Sequence, residues 1–132
     1  MKKLMKLILI FTLLNACQET PVEEKTTEKQ EDLPLVVQEN GRYVEWYPGR
    51  KQIKIEGRED REGKRNGVWK MYDEEGYELS ITVYKHGKKH GHIIVYHPNG
   101  ALYYTGEYEN DERVGEWRFY NEQGELVKEE NY

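Results

Sequence analysis

The sequence predicts an all-β fold: one elongated, single-layer antiparallel sheet of stacked β-hairpins. Three observations predict it. Glycines and aromatic residues recur at a fixed step of 24 residues, as in Gly67, Gly91 and Gly115. The segments between them alternate in polarity, as strands do. Each unit closes on turn chemistry, "DEEG", "HPNG" or "NEQG", and no window carries the 3.6-residue apolar period of a helix. The sheet is expected to follow a signal peptide and a disordered linker.

Residues 1–16, MKKLMKLILIFTLLNA, open with lysines, continue in an apolar run from Leu7 to Leu14 and end in small or polar residues. That order predicts a secretory signal peptide, and the run is much shorter than the roughly 20 residues a membrane span needs. Cys17 is the only cysteine, so no internal disulfide can form. Leu14-Asn15-Ala16-Cys17 resembles a bacterial lipoprotein lipobox. The resemblance implies cleavage before Cys17 and lipidation of Cys17, palmitate among the chains. It places the protein in the bacterial cell envelope, at the outer membrane or cell surface rather than the inner membrane. Two or more acyl chains anchor a protein stably, whereas one does not.

Residues 17–38 are expected to be the lipidated cysteine and a disordered acidic linker. Gln18 to Pro34 has no aromatic residue, six acids and two lysines. Such a segment buries too little to offset the entropy of ordering it. About 20 flexible residues span about 25 Å. An acidic run directly after such a cysteine also resembles the surface-export signals of some Gram-negative lipoproteins.

Residues 39–132 are expected to be the repeat domain, about four units of roughly 24 residues. Four sets of positions keep the 24-residue step: Gly67, Gly91 and Gly115; Tyr72, Tyr96 and Tyr120; Gly76, Gly100 and Gly124; Tyr84, Tyr108 and Tyr132. Within a unit, "HIIVY" is β-branched and aromatic, as strands prefer, and in "HPNG" the Asn-Gly pair supplies the positive φ a tight turn needs. The return turns are expected in "HGKKHG" and "NDERVG". Alternation places Trp69, Ile93 and Trp117 on one face with Met71, Val95 and Phe119, and Tyr72, Tyr96 and Tyr120 on the other. Tyr104, Gly106 and Tyr108 share a face of the second strand, where Gly106 would let a ring lie on backbone. The burial side of Leu79, Ile81 and Val83 is open at this level. Tyr72, Tyr96, Tyr120, Tyr84 and Tyr108 form the candidate interaction face, and Trp69 and Trp117 join the glycines as repeat-defining residues.

The segment "YYTGEYENDERVGEWRFYNEQGEL" resembles a MORN repeat, with Tyr104, Gly106, Tyr108, Gly115, Trp117, Tyr120 and Gly124 in the matching positions. It is similar to the bacterial variant of about 24 residues, some of whose members are labelled antitoxin components. The resemblance implies the stacked-hairpin sheet. Thr82 and Glu130 stand where the strand glycine is expected. The first unit is degenerate, with a shortened turn at Tyr47-Pro48-Gly49, as a terminal cap would be.

Composition limits the chemistry. The chain has 132 residues and a formal net charge of −5. Losing residues 1–16 removes Lys2, Lys3 and Lys6 and no acid, which moves it to −8. Such a charge repels nucleic acid and anionic lipid. His86, His90, His92 and His97 lie close in sequence, but turn histidines without fixed convergence make no metal site, and none is expected. No serine or cysteine nucleophile has a base and an orienting partner, and no phosphate-cradling loop leads into a helix. The expectation is no enzyme, no cofactor and no nucleic-acid partner. The chain reads as a lipid-anchored protein-interaction module with an unidentified protein partner. Its alternatives are an antitoxin or immunity protein neutralising a basic toxin, and a repeat domain that binds membrane lipid.

Overall fold

In the computed structural model, described for residues 33–132, nine strands form one antiparallel sheet in chain order, each paired with its sequence neighbours. They are β1 (Val36–Glu39), β2 (Arg42–Trp46), β3 (Ile53–Arg58), β4 (Gly67–Tyr72), β5 (Glu78–Lys85), β6 (Lys88–Tyr96), β7 (Leu102–Glu109), β8 (Glu112–Tyr120) and β9 (Leu126–Asn131). No helix occurs among the described residues. The expected all-β, single-layer architecture is what the chain forms. The signal peptide, Cys17 and linker residues 18–32 lie outside the described residues. The sheet begins at Val36 rather than at residue 39. Val36 and Val37 are β-branched, and Asn40-Gly41, with φ of 52° and 73°, turns the chain back so that Val37 pairs with Val44. Residues 36–38 therefore belong to the sheet, not to the linker.

Two kinds of turn line the two long edges. On one edge the amides of Asp73, His97 and Asn121 donate to the carbonyls of Tyr77, Ala101 and Glu125. Gly76, Gly100 and Gly124 close these three-residue loops at φ of 93°, 82° and 81°, the left-handed position that follows a type I turn. On the other edge His86-Gly87 and Asn110-Asp111 both have positive φ at each residue, the mark of two-residue type I′ hairpins. Gly91 and Gly115 are therefore not at turn ends, as the sequence reading placed them. They sit inside β6 and β8, where the register shifts: Thr82 pairs with Ile93 but Tyr84 with Lys89. Thr105 likewise pairs with Arg118 but Glu107 with Val114. Each shift is a bulge, and bulges sharpen the local twist. A second set recurs near the other edge, between Met71 and Tyr72, Val95 and Tyr96, and Phe119 and Tyr120.

The registers settle the two faces. Trp69 is opposite Thr82, Thr82 opposite Ile93, and Ile93 opposite Gly106, so these share the tryptophan face. The other face carries the unbroken row Val44, Glu56, Lys70, Ile81, Ile94, Thr105, Arg118, Glu129. Ile81 and Val83, whose side was open, belong to this second face, and Leu79 falls at the bulge. Among the described residues the buried apolar side chains are Val44, Trp69, Ile93 and Trp117. With one layer, burial comes from neighbouring strands rather than from a facing sheet.

Candidate interaction faces

The tryptophan face is assembled from seams between hairpins. A Cβ added to Gly106 would lie 2.2 Å from the Trp117 ring, and one added to Gly57 would lie 2.3 Å from Trp69. Each indole thus lies on the bare backbone of the preceding strand. The rings are also pinned by their N–H groups: Trp69 Nε1 donates to the Arg58 carbonyl at 2.9 Å, and Trp117 Nε1 to the Glu107 carbonyl at 3.2 Å. Between the two tryptophan seams Thr82 replaces the glycine and Ile93 replaces the tryptophan. The added bulk on one side is matched by lost bulk on the other, which explains why Thr82 is tolerated in a glycine column.

Tyrosines and cations complete each seam. Trp69 meets Tyr43 at 5.1 Å and Tyr84 edge-on at 6.2 Å between centroids. Trp117 meets Tyr108 edge-on at 5.0 Å, Tyr104 at 5.8 Å and Tyr132 at 6.1 Å. Arg65 stands 4.2 Å over Trp69 and 5.3 Å over Tyr84. Lys89 stands 4.8 Å over Tyr108, and Arg113 stands 4.5 Å over Trp117 and 5.4 Å over Tyr132. Arg65, Lys89 and Arg113 are themselves 24 residues apart. They form a cation column that the sequence reading missed, although its spacing was visible. Such contacts contribute on the order of 0.5–1 kcal/mol each at exposed sites. Burial pushes the Tyr104 hydroxyl above its ordinary pKa.

The candidate tyrosine face divides accordingly. Tyr84 and Tyr108 belong to the tryptophan seams and are spent on packing. Tyr72 is on the opposite face, where its hydroxyl donates to Glu56 Oε1 at 2.8 Å. Burial first, and then that bond, raise its pKa. By alternation Tyr96 and Tyr120 share Tyr72's face, opposite Ile93 and Trp117. The five tyrosines therefore do not form one surface. Trp69 and Trp117 are buried. Of the glycines, Gly67, Gly76, Gly91, Gly100, Gly115 and Gly124 adopt positive φ, while Gly106 is required for close approach.

Past Val37 and Val44 at its β1–β2 end, the second face carries charged pairs on either side of an apolar centre. Near the first hairpin Arg42 lies 3.8 Å from Glu56, and Lys70 Nζ donates to Glu78 at 2.8 Å, which raises the Lys70 pKa. Near the last hairpin Arg118 contacts Glu116 at 2.8 Å and Glu129 at 3.1 Å. Two shallow depressions sit at equivalent places in the repeat, behind Gly57 and behind Gly106. The first is lined by Arg42, Glu56, Arg58, Val68 and Lys70, the second by His92, Thr105, Glu107, Glu116 and Arg118. Positions that recur in the tryptophan seams vary here: Arg58, Val83 and Glu107 occupy one column, and Val68, His92 and Glu116 another.

The histidines do not converge. His86 Nδ1 lies 2.8 Å from Asp60 Oδ2, and His97 Nε2 lies 2.8 Å from the Tyr120 carbonyl. Among the described residues no three His, Cys, Asp or Glu side chains gather as a metal site needs. No helix among them is long and apolar enough to cross a membrane.

No curated protein matches the chain. A family model for the MORN repeat variant matches residues 89–110 and 113–132, which are the β6–β7 and β8–β9 hairpins with their seams. Residues 89–110 and 113–132 are thus similar to the MORN repeat variant, and β4–β5 repeats the same geometry one unit earlier.

Proposed function

We propose that this protein is a membrane-tethered interaction module. Acyl chains on Cys17 would hold it in a bacterial envelope membrane, the acidic linker would act as a leash, and the sheet would offer one face to a protein partner. One observation carries the reading. The tryptophan face recurs unit by unit because it holds the sheet together, while the second face, apart from the recurring Tyr72, Tyr96 and Tyr120, changes from unit to unit and keeps an apolar centre of Val68, Ile81, Val83 and Ile94. A surface left free by the packing and rimmed by charges is what interaction sites have.

Two measurements test it. Cys17→Ala should move the protein out of the membrane fraction of its host; unchanged fractionation would remove the tether. Capture after crosslinking in intact cells should recover a protein partner from the wild-type chain and lose it with Ile94→Asp. This substitution charges the second face without touching a tryptophan seam. Equal recovery from both chains would separate binding from this face.

A further inference from the structure

We propose that the partner seated on the second face is a second copy of this chain, laid face to face with its strand order reversed. The inference rests on the interaction-module reading and names its partner. Its basis is the charge order along the face. The β3–β4 end presents Arg58 and Lys70 with Glu56, joined by Arg42 from β2 and Glu78 from β5; the centre is Ile81 and Ile94; the β7–β9 end presents Glu107, Glu116 and Glu129 with Arg118. The face therefore runs from net basic through apolar to net acidic. Equivalent positions of the repeat reverse sign, Arg58 against Glu107 being the clearest pair. Among the described residues neither the Arg58 nor the Glu107 side chain forms an ion pair; each residue's carbonyl is what its tryptophan binds.

A two-fold axis parallel to the strands, passing between β5 and β6, lays β3 over the second copy's β8 and β4 over its β7. Rows stay on rows. Arg58 then faces the second copy's Glu116, Glu56 faces its Arg118, and Ile81 faces its Ile94. Each of these contacts occurs twice, as a self-complementary interface requires. The other two-fold, along the length of the sheet, sets the basic end on itself and the acidic end on itself, which like-charge repulsion disfavours. The strands remain near parallel between layers, the aligned packing that sheets adopt at about 10 Å separation. Eight strands, β2 to β9, at about 4.8 Å make a face about 35 Å long, the scale on which a standard interface buries about 800 Å² per partner. The second copy also supplies the second layer that a single sheet lacks.

The test uses two differently tagged full-length copies expressed together in the host and crosslinked before solubilisation. Wild-type copies should capture one another. Arg58→Glu or Glu116→Arg in both copies should each lower that capture about 10-fold, and the two reversals combined in one chain should restore it. Recovery in the double variant also shows that the single variants did not fail by misfolding. Self-capture that ignores either single reversal overturns the proposed arrangement. A different protein captured through Ile94 without self-capture overturns the second-copy assignment and leaves the interaction module standing. No capture of any protein removes both.

Discussion

The outer seam, Trp117 on Gly106, and the middle seam, Ile93 beside Thr82, do the same job with different side chains. Trp117 is fully enclosed, and Ile93 is 4% exposed. In the outer seam a large ring meets backbone with no Cβ in the way. In the middle seam a smaller aliphatic residue meets a threonine. The volume across the joint is shared differently, yet both joints close. The comparison shows what the strand glycine is for. Gly57 and Gly106 are absent from the residues with positive φ, so the glycine is there for clearance and not for its dihedral freedom. It is needed only where the partner is an indole.

Removing the outer ring should break the comparison most severely. Trp117→Ala deletes the side chain that Tyr104, Tyr108, Tyr132 and Arg113 all pack against. A loss of about 3–5 kcal/mol of folding stability is expected in denaturant titration, as for other large-to-small changes in a core. A loss below about 1 kcal/mol would mean that the rings do not carry the joint. The next effect sharpens the comparison. Gly106→Thr places a side chain inside the Trp117 ring and should cost about 1–3 kcal/mol through overpacking. Adding Trp117→Ile in the same chain turns the outer seam into a copy of the middle one. The double variant should lose less than the two single losses added together, with a coupling of about 0.5–3 kcal/mol. Strict additivity would refute the matched-volume account of Thr82.

These seams also mark how far the sequence was legible. The 24-residue columns gave the hairpins, their order and the buried tryptophans, because a repeat displays its framework three times over. The close approach at Gly106 was readable from alternation, which sets it on one strand face between Tyr104 and Tyr108. The match between Thr82 and Ile93 was not, because it joins positions on different strands whose register appears only once the sheet is paired. The bulges at Gly91 and Gly115 were missed because a glycine near a turn reads as part of the turn. His86-Gly87 and Asn110-Asp111 already complete tight turns without them. The five candidate tyrosines were grouped by recurrence, and recurrence does not tell one face from the other. Tyr84 and Tyr108 recur as strictly as Tyr72 does, yet they pack on indoles. On the second face the useful signal was the opposite one, columns that fail to repeat, such as Arg58, Val83 and Glu107.

The smallest expected effect concerns the strap beside the first tryptophan seam. Between β3 and β4 the strand pairing is brief, Ile55 with Met71 and Glu56 with Lys70, and the chain leaves it through a longer turn. Asp60 organises that turn: its Oδ1 accepts the amides of Glu62 and Lys64 at 2.9 and 3.0 Å, and its Oδ2 meets His86 at 2.8 Å. The Lys64 amide above all, and then the His86 contact, hold the Asp60 carboxyl below its ordinary pKa. A carboxyl depressed by folding adds stability above its unfolded pKa, near 3.9. That stability is lost as pH falls from there through the lower folded value. The wild-type chain should therefore lose more of its denaturation midpoint than Asp60→Asn does between about pH 5 and pH 3. The substituted side chain still offers an amide oxygen to the two backbone donors but carries no charge to lose. Parallel midpoint curves for the two chains would show that the carboxylate adds nothing to the strap. The turn would then be held by its backbone hydrogen bonds, such as the Asp60 amide to the Lys64 carbonyl at 2.8 Å.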